Sequence, residues 1–106
     1  MRTAARVDKN QKQIIKDLRA LPGVDVAPTH MIGKGFVDIV VGYRWENFLI
    51  EIKNPDVNAY ERRLTPDEQR FHDRWPGQVG VAETLEHCLN IIRYKAAPIQ
   101  TRTPNG

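Results

Sequence analysis

Helices and strands interleave along this chain in the order αβββαβα, which predicts an α/β domain built on a central mixed β-sheet flanked by helices. Three features carry that expectation. Ile14, Ile15, Leu18 and Leu21 recur at helical spacing near the N-terminus. Two apolar runs, residues 36–41 and 48–52, are separated only by Gly42-Tyr43-Arg44-Trp45-Glu46-Asn47, as in a β-hairpin. Thr65-Pro66-Asp67-Glu68 then opens a helix leading to a short strand and a last helix, the layout that returns a strand parallel to a neighbour by a right-handed crossover.

In chain order, Asp8 is expected to cap the first helix, with Gln11 three residues on completing a capping box and Pro22-Gly23 ending the helix. Residues 24–29 alternate as a strand with Val24 and Val26 on one side, and Gly33-Lys34-Gly35 forms a flexible turn. The hairpin lacks an Asn-Gly pair, so a two-residue loop and a four-residue loop over 43–46 both fit. In either case facing residue numbers sum to 89, which sets Asp38 opposite Glu51. One face then pairs Val37 with Ile52, Ile39 with Ile50 and Val41 with Phe48, and is wholly apolar. The other carries Phe36, Asp38, Val40, Leu49, Glu51 and Lys53.

Residues 54–63 are polar and without period, and are expected to form an exposed loop. Thr65 as N-cap, Pro66 at the first helical position and Glu68 closing the box start a helix that runs to about Trp75, where Pro76-Gly77 stops it. Residues 78–82 make a short strand, and Thr84 caps a last helix carrying Leu85, Cys88, Leu89 and Ile92. Residues 96–106 have the composition of a tail, leaving a single domain over 1–95.

With 106 residues, 41% of them hydrophobic and 27% charged, the chain has the composition of a globular domain and no apolar stretch long enough for a membrane span. A basic start, Met1-Arg2-Thr3-Ala4-Ala5-Arg6, without a following apolar core predicts a cytoplasmic protein, or one of the host cytoplasm if the chain is viral. The single cysteine, Cys88, excludes an intramolecular disulfide and lies in an apolar stripe, as a small core residue would. The net charge of +3 is uneven, with six basic against two acidic residues in positions 1–20. Such a distribution suits a polyanionic partner, although solvated basic helix faces are the commoner cause.

Asp38 opposite Glu51 is an electrostatic conflict on a half-apolar face, because like charges across a strand pair destabilise it unless a cation or proton intervenes. Two carboxylates with a backbone carbonyl such as that of Ile52 form a hard oxygen site suited to Mg²⁺ or Mn²⁺. A cation held there would activate water and polarise a phosphoryl oxygen, with Lys53 positioning the water or stabilising charge developing on phosphorus. The alternative is a structural ion-pair network on a solvated sheet face, with Lys53 bridging the two acids.

Gly35-Phe36-Val37-Asp38, followed after twelve residues by Glu51-Ile52-Lys53, resembles the core of the PD-(D/E)XK nuclease superfamily. Gly33-Lys34-Gly35, Asp38-Ile39-Val40-Val41-Gly42-Tyr43, Leu49-Ile50-Glu51-Ile52-Lys53 and Leu64-Thr65-Pro66-Asp67-Glu68-Gln69, in that order, resemble the small virus-type replication-repair nuclease domain, VRR-NUC. The resemblance spans the chain from the first helix to the last, with Val37 where the family's motif often has proline. It implies a restriction-endonuclease-like fold and metal-dependent hydrolysis of DNA phosphodiester bonds, selective for branched or junction DNA. It implies further that Asp38 and Glu51 are metal ligands, Lys53 the catalytic lysine, Gln11 a further contributor and Gln69 a neighbour of the site. Gln11 equally fits its capping box, and Gln69 an exposed helix position.

Lys34, Arg62 and Arg63 are candidate phosphate contacts, or simply solubilise their loops. His30 and His72 are candidate general bases or metal ligands, but without a His or Cys partner at ligand spacing they are expected on the surface or in loops. Tyr43 and Trp45 at the hairpin tip could stack on bases or pack across strands. A homodimer would widen the DNA-binding surface of so small a domain and supply two sites for paired cuts. The competing function is a non-catalytic module that binds nucleic acid or protein on a nuclease-like fold.

Overall fold

The structure, a computed structural model, describes residues 9–96. The Asp8 cap and nearly all of the expected tail lie outside the described residues. Helix α1 (Gln11–Arg19) follows Asn10, so Gln11 is its first residue and cannot close a capping box from the third position. The start of α1 is fixed from outside the helix. The Asn10 amide Nδ2 donates to the carbonyls of Lys53 (3.0 Å) and Glu83 (2.8 Å). Gln11, Ile14 and Leu18 form its buried stripe.

Strands β1 (Val24–Pro28), β2 (Ile39–Tyr43) and β3 (Glu46–Ile52) form an antiparallel meander, and β4 (Val79–Ala82) adds parallel to β3 in the order β1-β2-β3-β4. The chain is thus α/β with a mixed four-stranded sheet and helices packed against it. The hairpin register matches the sequence expectation, pairing Ile39 with Ile50, Val40 with Leu49 and Val41 with Phe48. Tyr43 pairs with Glu46, so the loop is the two-residue one. Both loop residues are left-handed, Arg44 at φ 54° and Trp45 at φ 68°, which is the type I′ pattern that matches strand twist but normally selects Asn and Gly. Each non-glycine residue held there costs about 1–2 kcal/mol.

Two apolar clusters form on the two sides of the sheet. Ile39, Val41, Phe48, Ile50 and Ile52 pack under α1 and α4 (Leu85–Ile92) with Ile14, Leu18, Cys88 and Ile92. Each large aliphatic or aromatic side chain fully buried in this way contributes about 1.5–3 kcal/mol. On the opposite side, Leu49 meets Phe71 of α3 (Pro66–Arg74) and Val37, with Phe36 and Phe71 edge to face at 5.2 Å. Val37 therefore does not share the face of Ile52 as strict alternation requires. Asp38 is a bend rather than part of β2, and the two-residue period fails there.

Residues 54–63 contain a one-turn helix, α2 (Ala59–Arg62), where the sequence predicts loop throughout; Asn58 accepts from the Glu61 N–H (2.9 Å) and caps it. Helix α3 has the expected capping box, with Thr65 and Glu68 satisfying each other's backbone N–H. Gly33, Lys34 and Gly35 run consecutively at positive φ (76°, 58° and 83°) and bring the loop against the start of α3. A Cβ on Gly35 would lie 2.6 Å from the Asp67 carbonyl oxygen. No helix among the described residues is long and apolar enough to cross a membrane.

Candidate functional site

The α3 side of the sheet is covered over Leu49, but one pleat further along β3 the same side presents Glu51 and then Lys53. Asp38 reaches this point from the bend that precedes β2. Its backbone N–H donates to the Ile50 carbonyl (3.2 Å) and its carbonyl accepts from the Thr29 N–H (2.7 Å), so the bend is clamped from both sides. Its carboxylate Oδ2 accepts the Ile52 N–H at 2.8 Å, tying the side chain to the segment that carries Glu51.

Lys53 is buried, an expensive place for an ammonium unless anions surround it. Its Nζ lies 2.9 Å from Glu68 Oε1 and 3.7 Å from Glu51 Oε2. Glu68 Oε1 also accepts the Thr65 N–H at 2.9 Å, so one oxygen closes the helix cap and anchors the lysine. Asp38, Glu51, Lys53 and Glu68 line a common cavity of about 370 Å³ together with His30, Thr65 and the Gly33 and Gly35 backbone.

Glu51 is 3% exposed, and burial pushes its carboxyl up to about 10, aided by the negative charges of Asp38 and Glu68 and opposed by Lys53. Glu68 behaves in the opposite sense. Burial alone would raise it, but hydrogen bonds from Lys53, the Thr65 N–H and Glu51 hold it below the ordinary carboxylate range. The site therefore divides its acids into a neutral Glu51 and an ionised Glu68 near pH 7. Glu51 Oε1 has no hydrogen-bond partner among the described atoms, and it is the kind of buried, orphaned oxygen that a hard cation satisfies.

Among the described residues no three His, Cys, Asp or Glu side chains form a ready metal-ligand group. Of the donors expected from sequence for a small divalent cation, the Asp38 and Glu51 carboxyls line the cavity, whereas Ile52 is not among its lining residues.

Gln11 is buried with its Nε2 3.4 Å from His30 Nδ1, and its Oε1 has no hydrogen-bond partner among the described residues. It stands behind His30, which lines the cavity, rather than lining the cavity itself. Lys34 is exposed on the Gly33–Gly35 loop at the cavity edge. Arg62 is engaged elsewhere, donating to the Pro55 (2.9 Å) and Val57 (3.1 Å) carbonyls and pairing with Glu83 at 3.6 Å. Arg63 has its guanidinium 4.6 Å from the Tyr60 ring centre. Gln69 is bonded to Asp73 (2.8 Å) and does not line the cavity. His72 is half-buried on α3 with Nδ1 2.9 Å from the Glu68 carbonyl. Cys88 is fully buried, which pushes its thiol up to about 12 and leaves it inert.

One residue of the site escapes the sequence reading. Glu68 is legible there only as the end of a capping box, and that local role accounts for it without a second one. His30, which the sequence offers as a general base or metal ligand though expected on the surface or in a loop, lines the cavity beside Gln11. Comparison with protein families, with curated proteins and with solved structures finds no match for this chain.

Proposed function

We propose that this chain is a Mg²⁺- or Mn²⁺-dependent nuclease that hydrolyses DNA phosphodiester bonds, with a restriction-endonuclease-like domain of the small VRR-NUC kind. The observation that carries the proposal is the convergence on one cavity of Asp38, at the bend before β2, with Glu51 and Lys53 at the end of β3 and just past it. Asp38 and Glu51, with the Ile52 carbonyl, would hold the cation, whose chemistry is to activate water and stabilise charge on phosphorus. Glu68 fixes the Lys53 ammonium at the cavity wall, where it can orient the attacking water or stabilise the developing charge. Lys34 at the cavity edge is placed to meet a phosphate. A homodimer would set two such cavities on one branched DNA.

The test is a panel of single-stranded, duplex, flap and four-way-junction DNA incubated with and without Mg²⁺ or Mn²⁺. Cleavage that needs the cation is expected, with Asp38→Ala and Lys53→Ala reducing it about a hundredfold or more while circular dichroism shows an intact fold. Cleavage retained by both variants would remove the site assignment.

A second function is favoured by one observation. Lys53 lies nearer Glu68 (2.9 Å) than Glu51 (3.7 Å), so the ammonium already has a carboxylate partner within the protein, as in a non-catalytic binding module on the same fold. Calorimetric titration with Mn²⁺ separates the two. The nuclease binds the ion and releases a proton from Glu51, whereas the module binds no ion.

A further inference from the structure

We propose that the β2–β3 hairpin tip is a second nucleic-acid contact, in which Trp45 stacks on an unpaired DNA base beside a cationic recess that takes the adjoining phosphate. The inference rests on DNA being the partner, and adds a contact remote from the catalytic cavity. Trp45 is 102% exposed, so it packs on nothing across the strands. It is held in that position by a two-residue turn in which Arg44 and Trp45 both have positive φ, a conformation that Asn and Gly would adopt with less strain. A large apolar ring kept in water on a strained turn gains nothing for the fold.

The surroundings select the occupant. Arg44, Glu46 and Asn47, next to Trp45 in sequence, are exposed and polar, so among the described residues the tip offers a lone ring rather than the broad apolar patch a protein partner or a bilayer would need. Next to the turn, Arg44, Arg93 and Lys95 line a recess of about 290 Å³ whose carboxylate among the described residues is Glu46, paired with Arg93 at 3.3 Å. On the β1 side, Asp25 turns its Oδ1 back to the Val26 N–H at 2.8 Å. One accessible aromatic face beside an excess of cations is the arrangement that binds a single-stranded base and its phosphate without reading sequence. The tip lies six residues along the hairpin from Asp38, about 20 Å at the strand rise, so the two contacts fall on different nucleotides.

The experiment measures binding rather than cleavage. All proteins carry Asp38→Ala and are assayed in EDTA, so the outcome does not depend on whether the chain is a nuclease. Fluorescence anisotropy follows a labelled oligothymidylate of about fifteen nucleotides, long enough for one stacking site, and a duplex of equal length closed at both ends. Trp45→Ala is expected to weaken binding to the single strand about tenfold or more, Trp45→Phe to restore most of it, and binding to the closed duplex to change less than about twofold. Trp45 buries nothing, so the variants keep the fold, which circular dichroism checks. Equal affinity of Trp45→Ala and its parent for the single strand overturns the proposal, as does an equal loss on the closed duplex or no binding of the single strand by the parent. Loss of self-association in Trp45→Ala, read by sedimentation, overturns it in favour of a second copy of this chain on the tip.

Discussion

Glu51→Gln should stabilise the protein near pH 7 and leave its stability unchanged in acid. Burial raises the Glu51 carboxyl from its ordinary 4.5 to about 10, so the folded chain keeps a proton that the unfolded chain releases. Below pH 4.5 both states hold the proton and there is no penalty. Between 4.5 and about 10 the unfolded state binds fewer protons, and stability falls by about 1.4 kcal/mol for each pH unit. At pH 7 the accumulated loss is about 3 kcal/mol. It depends only on the interval from 4.5 to 7 so long as the folded group titrates above 7. Glutamine has the shape of the neutral acid, retains a donor for Glu68 and never ionises, so the substitution removes this loss. Lys53 keeps its 2.9 Å partner, Glu68. Urea unfolding in EDTA at pH 4, 7 and 8.5 measures it. The stability difference between the Glu51→Gln variant and its parent should be near zero at about pH 4, about 3 kcal/mol at about pH 7 and larger at about pH 8.5. A difference independent of pH, or a destabilised variant at pH 7, would show that Glu51 is ionised in the fold and paired with Lys53.

Gly35→Ala should destabilise by about 2–4 kcal/mol, because a left-handed residue gains a Cβ and that Cβ meets the Asp67 carbonyl at 2.6 Å; the urea midpoint measures this, and a neutral result would mean that the loop moves off α3 at little cost. Trp45→Gly should raise stability by about 1 kcal/mol by relieving the turn, a thermal shift of about 4–8 °C, while removing the proposed base contact. A destabilised Trp45→Gly would mean that the indole packs on the protein.

The parts of the fold legible in the sequence are those where one physical rule acts alone. The hairpin register follows from burial of Ile39, Val41, Phe48 and Ile50 on one face, since a slip of one residue would send a whole strand's apolar set to the other. The caps at Thr65 and Thr84 are local chemistry, and both form. Where tertiary contacts override the local rule, the sequence misleads. Alternation assigns Val37 to the face of Ile52, but the clamp on Asp38 by Thr29 and Ile50 bends the chain and sends Val37 to Phe71. The start of α1 is set by Asn10 bonding to residues just past the ends of β3 and β4, contacts that span more than forty positions in sequence. The same limit hides Glu68, whose second bond is to a lysine fifteen residues earlier.

That second bond changes how the Asp38–Glu51 conflict is resolved. From sequence, two carboxylates opposite one another need a cation or a proton between them. In the fold a proton on Glu51 removes one charge, the Ile52 N–H stabilises Asp38, and Glu68 takes the Lys53 ammonium that would otherwise pair with Glu51. The charge of each acid is thus handled separately, and the domain can fold with Glu51 buried and Asp38 half-buried near one another, although Glu51 Oε1 still lacks a partner among the described residues. The cost is carried by Glu51, whose proton must leave before its oxygens can hold a cation. Glu68 therefore helps to set how readily the proposed centre forms: its negative charge raises Glu51, while its bond to Lys53 keeps the ammonium at the cavity wall. Removing that charge with Glu68→Gln would ease ionisation of Glu51 but loosen Lys53, which is why the capping glutamate at the start of α3 belongs to the site as much as to the helix.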